Sequence, residues 1–493
     1  PIFDEVGVEQ GGVNSSDLYK VRNNEQLSVP QDTNFGVNFT NSDVHIASIG
    51  QADDTVLISN DLVKLKFLLK LTLDFCKKYH IELSPTKTKL QLYLPSSLSH
   101  YQDLYKNSVG IDIEGTLIEF VDSTEHVGVI RSVHGNFPHI LNRFSSHNKA
   151  VHSVLPVGLA RGNRGNPASS LRVEKVYGVP VLISGTASLV LKQSELNILN
   201  SHFKSKLENL QKLHQRTPDP VVYFLAGSLP ASALLHLRQL SLFSMITRLP
   251  ENILNRIARY VLTTSKDSYK SWFIQIKLLC HLYSLPHPLT LLDCPLSKSA
   301  SKLKFKNSVI EYWQRKLRNE SSHLPSLKYF KPHFMSLQTP HPLWLTCGSN
   351  SYEICKAVVQ AKMLSGRYRT DQLLRHFTDN DGSCTLCKGD TNTGGIEHLL
   401  LLCPALNHTR IELLGKLDKN KNIRDQTKLL IGSYYHKGKN MIQFILDGSV
   451  LPEIIKIRQK EGTQILNEIF SFSRSWCYTI HRTRLKLIGR WTN

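Results

Sequence analysis

Short runs with strand-like composition occupy the start of the chain. Residues 45–51 (HIASIGQ) and 55–59 (TVLIS) favour β-structure and are separated by Ala52, Asp53 and Asp54. So short a separation predicts a tight hairpin. The pattern therefore predicts two carboxylates, those of Asp53 and Asp54, at a hairpin tip.

Helical spacing of apolar residues then takes over. Residues 60–80 form an amphipathic pattern with leucines on one side and lysines on the other, which predicts a helix. A turn, a strand over residues 91–94 (QLYL) and a strand–turn segment around Gly128 follow. The Gly-, Asn- and Ser-rich residues 158–170 predict a boundary loop. Later predicted helices cover residues 196–213, 231–248, 253–262, 272–282, 309–317 and 463–488.

The net charge of the chain indicates which class of partner it binds. The 493 residues include 60 Lys and Arg against 40 Asp and Glu, a net charge of +20. Such a surface attracts polyanions in a salt-dependent way, so nucleic acid is the leading predicted partner. A solvated basic surface without a ligand is the alternative.

The sequence offers no targeting or membrane signal that we recognise. It has no apolar run of about 18 residues, the length that a membrane helix needs, and no secretory signal at its first residues. Six of the nine cysteines are scattered singly, which suits a reducing compartment. We therefore expect no membrane partner and an intracellular location, in the nucleus, the cytoplasm or both.

Four residues near the C-terminal end have the spacing of a metal site. Cys384-x2-Cys387-x10-His398-x4-Cys403 supplies three thiolates and an imidazole, the ligand types of tetrahedral zinc. Four protein ligands leave no position for water, so the predicted Zn²⁺ is structural. A disulfide pair or unliganded buried cysteines are the alternatives. Nearby cations fit either a phosphate-contacting surface or plain solvent exposure: Lys362, Arg367, Arg369, Arg375 and Lys388.

The paired aspartates suggest a second metal. Two adjacent carboxylates repel each other unless a cation neutralises them, and Mg²⁺ prefers such hard oxygen ligands. Taken alone, Asp53 and Asp54 fit a solvated turn better than a metal site, because most such pairs in turns are solvated.

Four segments in order carry a family resemblance. Residues 7–16 (GVEQGGVNSS), 51–54 (QADD), 83–89 (LSPTKTK) and 125–129 (EHVGV) resemble motifs of the reverse transcriptases of non-LTR (LINE-type) retrotransposons. The Cys–Cys–His–Cys cluster is similar to the zinc-binding region that follows the thumb in that family. The chain departs from the motifs at Glu9, Ser16 and His126, where the family has a basic residue, proline and an aromatic residue.

The resemblance implies an α+β fold and RNA-directed DNA polymerase chemistry. A partial palm sheet with helices would be followed by a helical thumb and a small zinc module. Asp53 and Asp54 would bind Mg²⁺ in a two-metal site and Lys87 would act near the triphosphate. RNA template, DNA primer or target, and dNTP would be the partners. Four residues would contact nucleotide or template: Gln10, Gly11, Ser15 and Gly128.

The same resemblance implies a domain order. It gives a partial palm over residues 1–150, linker and thumb over 151–345, a zinc-binding region over 346–415 and a basic helical segment over 416–493. The family's first aspartate motif is not found before Gly7, so we expect a fragment that does not polymerise alone. The alternative is a catalytically dead, nucleic-acid-binding remnant of a degraded element.

Overall fold

The structure is a computed structural model of the chain. It describes residues 15–40, 42–51, 54–94, 98, 110–113, 115–153, 165–266, 270–375, 381–388, 394–437 and 440–489. Helices predominate among these residues, and the strands form small pairs. That composition is compatible with an α+β class, with much more helix than strand.

The strands are short and lie in the first third of the chain. In chain order they are β1 (Val37–Asn38), β2 (His45–Ile46), β3 (Ser48–Gln51), β4 (Asp54–Leu57), β5 (Lys89–Leu90), β6 (Asp112–Ile113), β7 (Thr116–Leu117), β8 (Glu119–Phe120), β9 (Ser123–His126) and β10 (Val129–Ser132). The pairs β1–β2, β3–β4, β6–β7 and β9–β10 are antiparallel, whereas β5 and β8 pair in parallel.

The helices run through the whole described chain. They are α1 (Ser15–Gln31), α2 (Leu62–Lys78), α3 (Phe137–Ser153), α4 (Pro167–Val173), α5 (Val179–Leu182), α6 (Gln193–Leu210), α7 (Asp219–Ala226), α8 (Ala231–Thr247), α9 (Ile253–Thr264), α10 (Trp272–Leu282), α11 (Pro288–Asp293), α12 (Lys298–Ser322), α13 (Pro342–Leu345), α14 (Ser351–Leu364), α15 (Asp371–Leu374), α16 (Asn407–Asp418), α17 (Asp425–Lys437), α18 (Met441–Asp447), α19 (Pro452–Glu461) and α20 (Gln464–Leu487). Two π-helical turns occur at Glu174–Gly178 and His398–Leu402.

The chain divides into two compact units. The first contains residues 1–142, 185–191 and 239–301, and the second contains 143–184, 192–238 and 302–493. Each unit therefore combines stretches of chain that are separate in the sequence. The four-part domain order predicted from the sequence stays a prediction.

The first unit holds the predicted hairpin and the helix after it. Strands β3 and β4 pair antiparallel with Gln51 opposite Asp54, as the predicted hairpin requires, and the tip residues Ala52 and Asp53 lie outside the described residues. Helix α2 begins after Asp61, whose side chain accepts a hydrogen bond from the Lys64 amide. Its leucine face packs against a small cluster of three buried isoleucines, Ile111, Ile113 and Ile118. The amphipathic helix predicted over residues 60–80 is confirmed.

A second hairpin in this unit surrounds Gly128. Val127 and Gly128 connect β9 to β10 with φ angles of 51° and 72°. Two successive positive φ angles are the mark of a type I′ turn, which matches the twist of the flanking strands. The predicted strand–turn segment is confirmed.

The second unit is built around α14 and α20. Asn350 caps α14 by accepting hydrogen bonds from the amides of Tyr352 and Glu353. Helix α20 follows Gly462, which has a φ of 77°, and ends with Arg484 and Lys486 in its last turn. The largest buried side chains of this unit include Trp344, Trp476, Phe444 and Phe470.

Most of the later helices predicted from periodicity are confirmed, with boundary shifts. The helix predicted over residues 309–317 is part of the longer α12. Two local predictions are wrong. Residues 91–94 form no strand, because pairing with β8 involves only Lys89 and Leu90. The boundary loop predicted over residues 158–170 extends too far, because α4 begins at Pro167 with Asn166 as its cap; residues 158–164 lie outside the described residues.

Among the described helices, none is by itself both long and apolar enough to cross a membrane. Helices α7 and α8 reach that length and composition only when taken together, with a bend between them.

Candidate metal centre

Four ligand atoms converge in the second unit. The side chains of Cys384, Cys387, His398 and Cys403 each offer one atom, and these atoms all lie within 4.8 Å of one another. The Cys384 and Cys403 sulfurs are 3.8 Å apart, and the Cys387 sulfur is 3.4 Å from His398 Nε2. No other such group of His, Cys, Asp and Glu occurs in the part of the chain that the structure describes.

These separations fit zinc. Tetrahedral geometry with Zn–S bonds of about 2.3 Å and Zn–N bonds of about 2.0 Å places two sulfurs about 3.8 Å apart and a sulfur about 3.5 Å from a nitrogen. The two observed separations are close to these values. The cluster can therefore hold a zinc ion. No disulfide joins its cysteines, all of which are free thiols.

Two backbone turns bring the ligands together. A turn over residues 385–387 is closed by the Lys388 amide, which donates to the Cys384 carbonyl at 2.9 Å. The π-helical turn His398–Leu402 is closed by the Cys403 amide, which donates to the His398 carbonyl at 2.7 Å. The i to i+5 geometry of a π-turn thus matches the His-x4-Cys spacing.

Glycines at positions 382 and 394 permit the close approach of the metal-binding segment to α15. The Gly394 amide donates to the Gly382 carbonyl at 3.0 Å, and the Gln372 amide donates to the Gly394 carbonyl at 3.2 Å. A Cβ atom on Gly394 would lie 2.7 Å from both the Asp371 Cβ and the Gly382 carbonyl oxygen. Gly382 has a φ of 88°, a conformation that favours glycine.

Asp371 supports the metal-binding loop from outside the ligand set. One of its carboxylate oxygens accepts from the Thr385 amide at 3.2 Å and from the Thr385 hydroxyl at 3.3 Å. The other accepts from an Arg484 nitrogen at 3.0 Å. Asp371 and Arg484 are both buried, so one ion pair links the Cys-x2-Cys turn to α20.

Arg410 supports the second half of the site. It donates to the Cys403 carbonyl at 2.6 Å, and the arginine is only 3% exposed. Its Nη1 atom is buried with no hydrogen-bond partner in the described part of the chain. Three thiolates and Zn²⁺ together carry a net charge of −1, so a buried guanidinium at this position offsets the excess charge. Trp476 adds a hydrogen bond from its indole nitrogen to the Leu400 carbonyl at 3.2 Å.

The buried surroundings of the metal centre shift the pKa values of two ligands, His398 and Cys403. Burial lowers the pKa of the His398 imidazole and Arg410 lowers it further, so the ring stays in the neutral form that binds metals. Burial raises the pKa of the Cys403 thiol and the neighbouring Cys384 raises it further. Metal binding must therefore displace a proton from Cys403, and affinity will fall as the pH falls.

The other predicted site residues that the structure describes lie in the first unit, each in a different element or turn. Asp54 is exposed at the start of β4, whereas Asp53 lies outside the described residues, as do Gln10 and Gly11. Lys87 is exposed in a turn after α2. No hydrogen bond or ion pair joins Asp54 to Lys87 in the described chain. Ser15 lies in α1, and Gly128 lies in the turn between β9 and β10.

The predicted phosphate-contacting cations differ in exposure. Arg369, Arg375 and Lys388 are exposed, whereas Lys362 and Arg367 are half-buried. The sequence interpretation missed Asp371, Arg410 and Arg484, because nothing in local spacing marks a side chain that acts across a fold.

A second buried polar cluster lies in the same unit. His147 is held between Glu174, whose carboxylate oxygen is 2.7 Å from His147 Nε2, and His202, whose Nε2 is 3.1 Å from His147 Nδ1. Burial, together with the neighbouring His147 and Lys206, lowers the pKa of His202 to about 4. The cluster does not form a metal-ligand group, and its hydrogen bonds account for its geometry.

Comparison with known proteins does not identify the chain. No protein-family model and no curated protein matches it.

Proposed function

We propose that this chain is the C-terminal part of a non-LTR retrotransposon reverse transcriptase, and that its second unit is a zinc-stabilised nucleic-acid-binding region. The support is of two kinds. One is the order and local structure of the polymerase-like motifs, and the other is the geometry of the metal centre. The net charge of +20 supplies the attraction for a polyanion.

The local structure of the motifs carries the polymerase part of the proposal. Asp54 begins the second strand of a tight hairpin, Lys87 lies in an exposed turn after the amphipathic α2, and Gly128 lies in the turn of a second hairpin. These three positions, at the start of a strand and in two turns, support the proposal for the motifs to which they belong. In the proposed reaction Asp53 and Asp54 bind Mg²⁺, and Lys87 stabilises charge on the triphosphate of the incoming dNTP.

In this proposal the zinc ion has a structural role and takes no part in the reaction. The site has four protein ligands and therefore no open position for a reacting water. Its role is to fix the loop between α15 and the π-helical turn, so that the basic residues around it keep one arrangement. RNA template and DNA primer or target are the proposed partners of this surface.

Primer extension tests the polymerase part. The chain is compared with a version extended at its N-terminal side by the preceding coding sequence, on an RNA template with Mg²⁺. We expect extension only by the longer protein, and none after Asp53→Ala. Asp74→Ala, an exposed aspartate of α2, is the matched control and should leave extension unchanged.

The same preparations separate the two candidate functions. If both proteins bind RNA but neither extends a primer, a nucleic-acid-binding protein without polymerase activity replaces the proposal. If neither binds RNA at low salt, both functions are excluded, because phosphate contacts are strongest there.

A further inference from the structure

A line of aromatic rings follows the junction of α14 and α20. We call Tyr352, Tyr368, Tyr478 and His481 the tyrosine seam. The Tyr352 and Tyr478 rings meet edge to face, with centroids 5.3 Å apart and an angle of 86°. His481 lies 6.4 Å from Tyr478 and 5.6 Å from Tyr368. The rings therefore form a continuous series across two helices.

Tyr352 is the most exposed of these rings, at 49%, whereas Tyr478 and His481 are half-buried. Lys356 holds the outer ring in place: its ammonium lies 4.4 Å from the Tyr352 centroid and donates to Glu353 at 2.7 Å and to Ser475 at 3.3 Å. A ring fixed by contacts loses little conformational freedom when a ligand stacks on it.

The inner end of the seam is neutral and polar. The Tyr368 hydroxyl and His481 Nδ1 are 2.8 Å apart. Burial, together with the charges of Arg484 and Lys362, lowers the pKa of His481 to about 4. At neutral pH this imidazole is therefore uncharged and adds an aromatic face.

Cations lie beside the aromatic series. Lys362 is half-buried near Arg369, and its pKa is lowered by burial and by repulsion from that arginine. The Nε atom of Arg367 is buried and has no hydrogen-bond partner among the described residues. Arg482 is exposed one residue beyond His481. An anion bound beside Lys362 and Arg369 would relieve the repulsion between these two cations.

We propose that the tyrosine seam binds single-stranded nucleic acid, with bases stacking on Tyr352 and Tyr478 and phosphates contacting Lys362, Arg369 and Arg482. This inference rests on the proposed function and assigns its nucleic-acid contact to particular side chains. Aromatic faces beside a line of cations suit unpaired bases, because the bases of a duplex are stacked on each other and hide their faces.

The seam is connected to the metal centre. The Arg484 guanidinium lies 5.8 Å from the Tyr368 ring centroid and pairs with Asp371, which holds Thr385 of the Cys-x2-Cys turn. Loss of the metal therefore loosens the inner end of the seam through this chain of contacts, and strand binding weakens with it.

The test measures binding by the full chain. Fluorescence anisotropy is recorded with labelled twelve-nucleotide single strands of RNA and of DNA, and with a duplex of equal length, at several salt concentrations. The variant is Tyr352→Ala/Tyr478→Ala. Tyr352→Phe/Tyr478→Phe restores the rings, and Tyr177→Ala, at a 63% exposed tyrosine of the same unit, is the matched control.

We expect the double alanine variant to bind single strands about tenfold or more weakly, because each substituted position loses the ring on which a base stacks. The phenylalanine variant and Tyr177→Ala should bind like the wild type. The slope of affinity against salt should stay constant, because phosphate contacts are retained. Comparison of the RNA and DNA strands shows which of the two the seam prefers.

Three results would overturn the inference, and they differ in what they say about the proposed function. If wild-type protein binds single strands but the alanine variant binds them equally well, the seam is not the site and the proposed function stands. If duplex binding falls as much as strand binding, the seam contacts duplex instead. Absence of all binding by the wild type at low salt would overturn the seam and the proposed function together.

Discussion

Removing the charge of Arg410 should weaken metal binding without unfolding the protein. Arg410→Met keeps the length and much of the volume of the side chain but removes the guanidinium. The substitution leaves the Cys403 carbonyl without its 2.6 Å donor and leaves the net charge of the metal site without a buried counter-ion.

The magnitude follows from the contacts that are lost. Groups that support metal ligands typically contribute about 10–100-fold to metal affinity. A tenfold loss corresponds to about 1.4 kcal/mol, which is also in the range of one hydrogen bond made by a charged group. We therefore expect zinc affinity to fall at least tenfold in Arg410→Met and less in Arg410→Lys, which keeps the charge but not the planar donor set.

Competition with a chromophoric chelator measures the zinc affinity, and the absorption of the cobalt-substituted protein reports whether the four ligands still bind in a tetrahedron. Lys416→Met, an exposed lysine of the same helix, is the control and should match the wild type. If Arg410→Met binds zinc within twofold of the wild type, Arg410 serves only packing and the electrostatic reasoning fails.

Four further outcomes follow from the structure. Cys384→Ser should reduce the zinc content from one ion per chain to a small fraction by elemental analysis, and full retention would contradict the four-ligand site. Gly128→Val should destabilise the first unit by about 1–2 kcal/mol in urea unfolding, because a β-branched residue resists the φ of 72°. Gly415→Ala should stabilise α16 by up to about 1 kcal/mol, since a Cβ atom there meets no neighbour within 4 Å, and a lower urea midpoint would refute this. Burial lowers the pKa of His236 to about 4, from the ordinary value of about 6.5. As the pH falls from about 6.5 to 4, the unfolded chain therefore binds a proton that the folded protein does not bind, and the free energy of unfolding decreases over that range. His236→Gln should remove about 1.4 kcal/mol of this loss per pH unit, and equal pH slopes for the two proteins would exclude the effect.

Local patterns predicted much of the secondary structure. The amphipathic spacing around α2 and the short gap between residues 51 and 54 depend on neighbours along the chain, and both predictions are confirmed. The parallel pairing of β5 with β8 joins residues thirty positions apart, such as Lys89 and Glu119. Periodicity carries no information about such a partner, which explains the wrong strand at residues 91–94.

The metal ligands could be predicted, but not what holds them. Spacing alone identified Cys384 and Cys403, and the structure brings their sulfurs within 3.8 Å. Asp371 and Arg484 are 113 positions apart, and their ion pair depends on how α20 packs. The palm arrangement of the strands stays a prediction, because the described strands form separate pairs rather than one sheet.

The position of Asp371 decides how the protein can be divided for laboratory use. A piece ending at residue 415 would include every metal ligand but lack Arg484 and Trp476. Without α20, the Asp371 carboxylate would lose both its cation and the packing that buries it. A shorter protein made to study the metal centre must therefore keep Arg484 and Trp476 together with the four ligands, and a fusion partner or affinity tag is better joined beyond α20 than inserted before it.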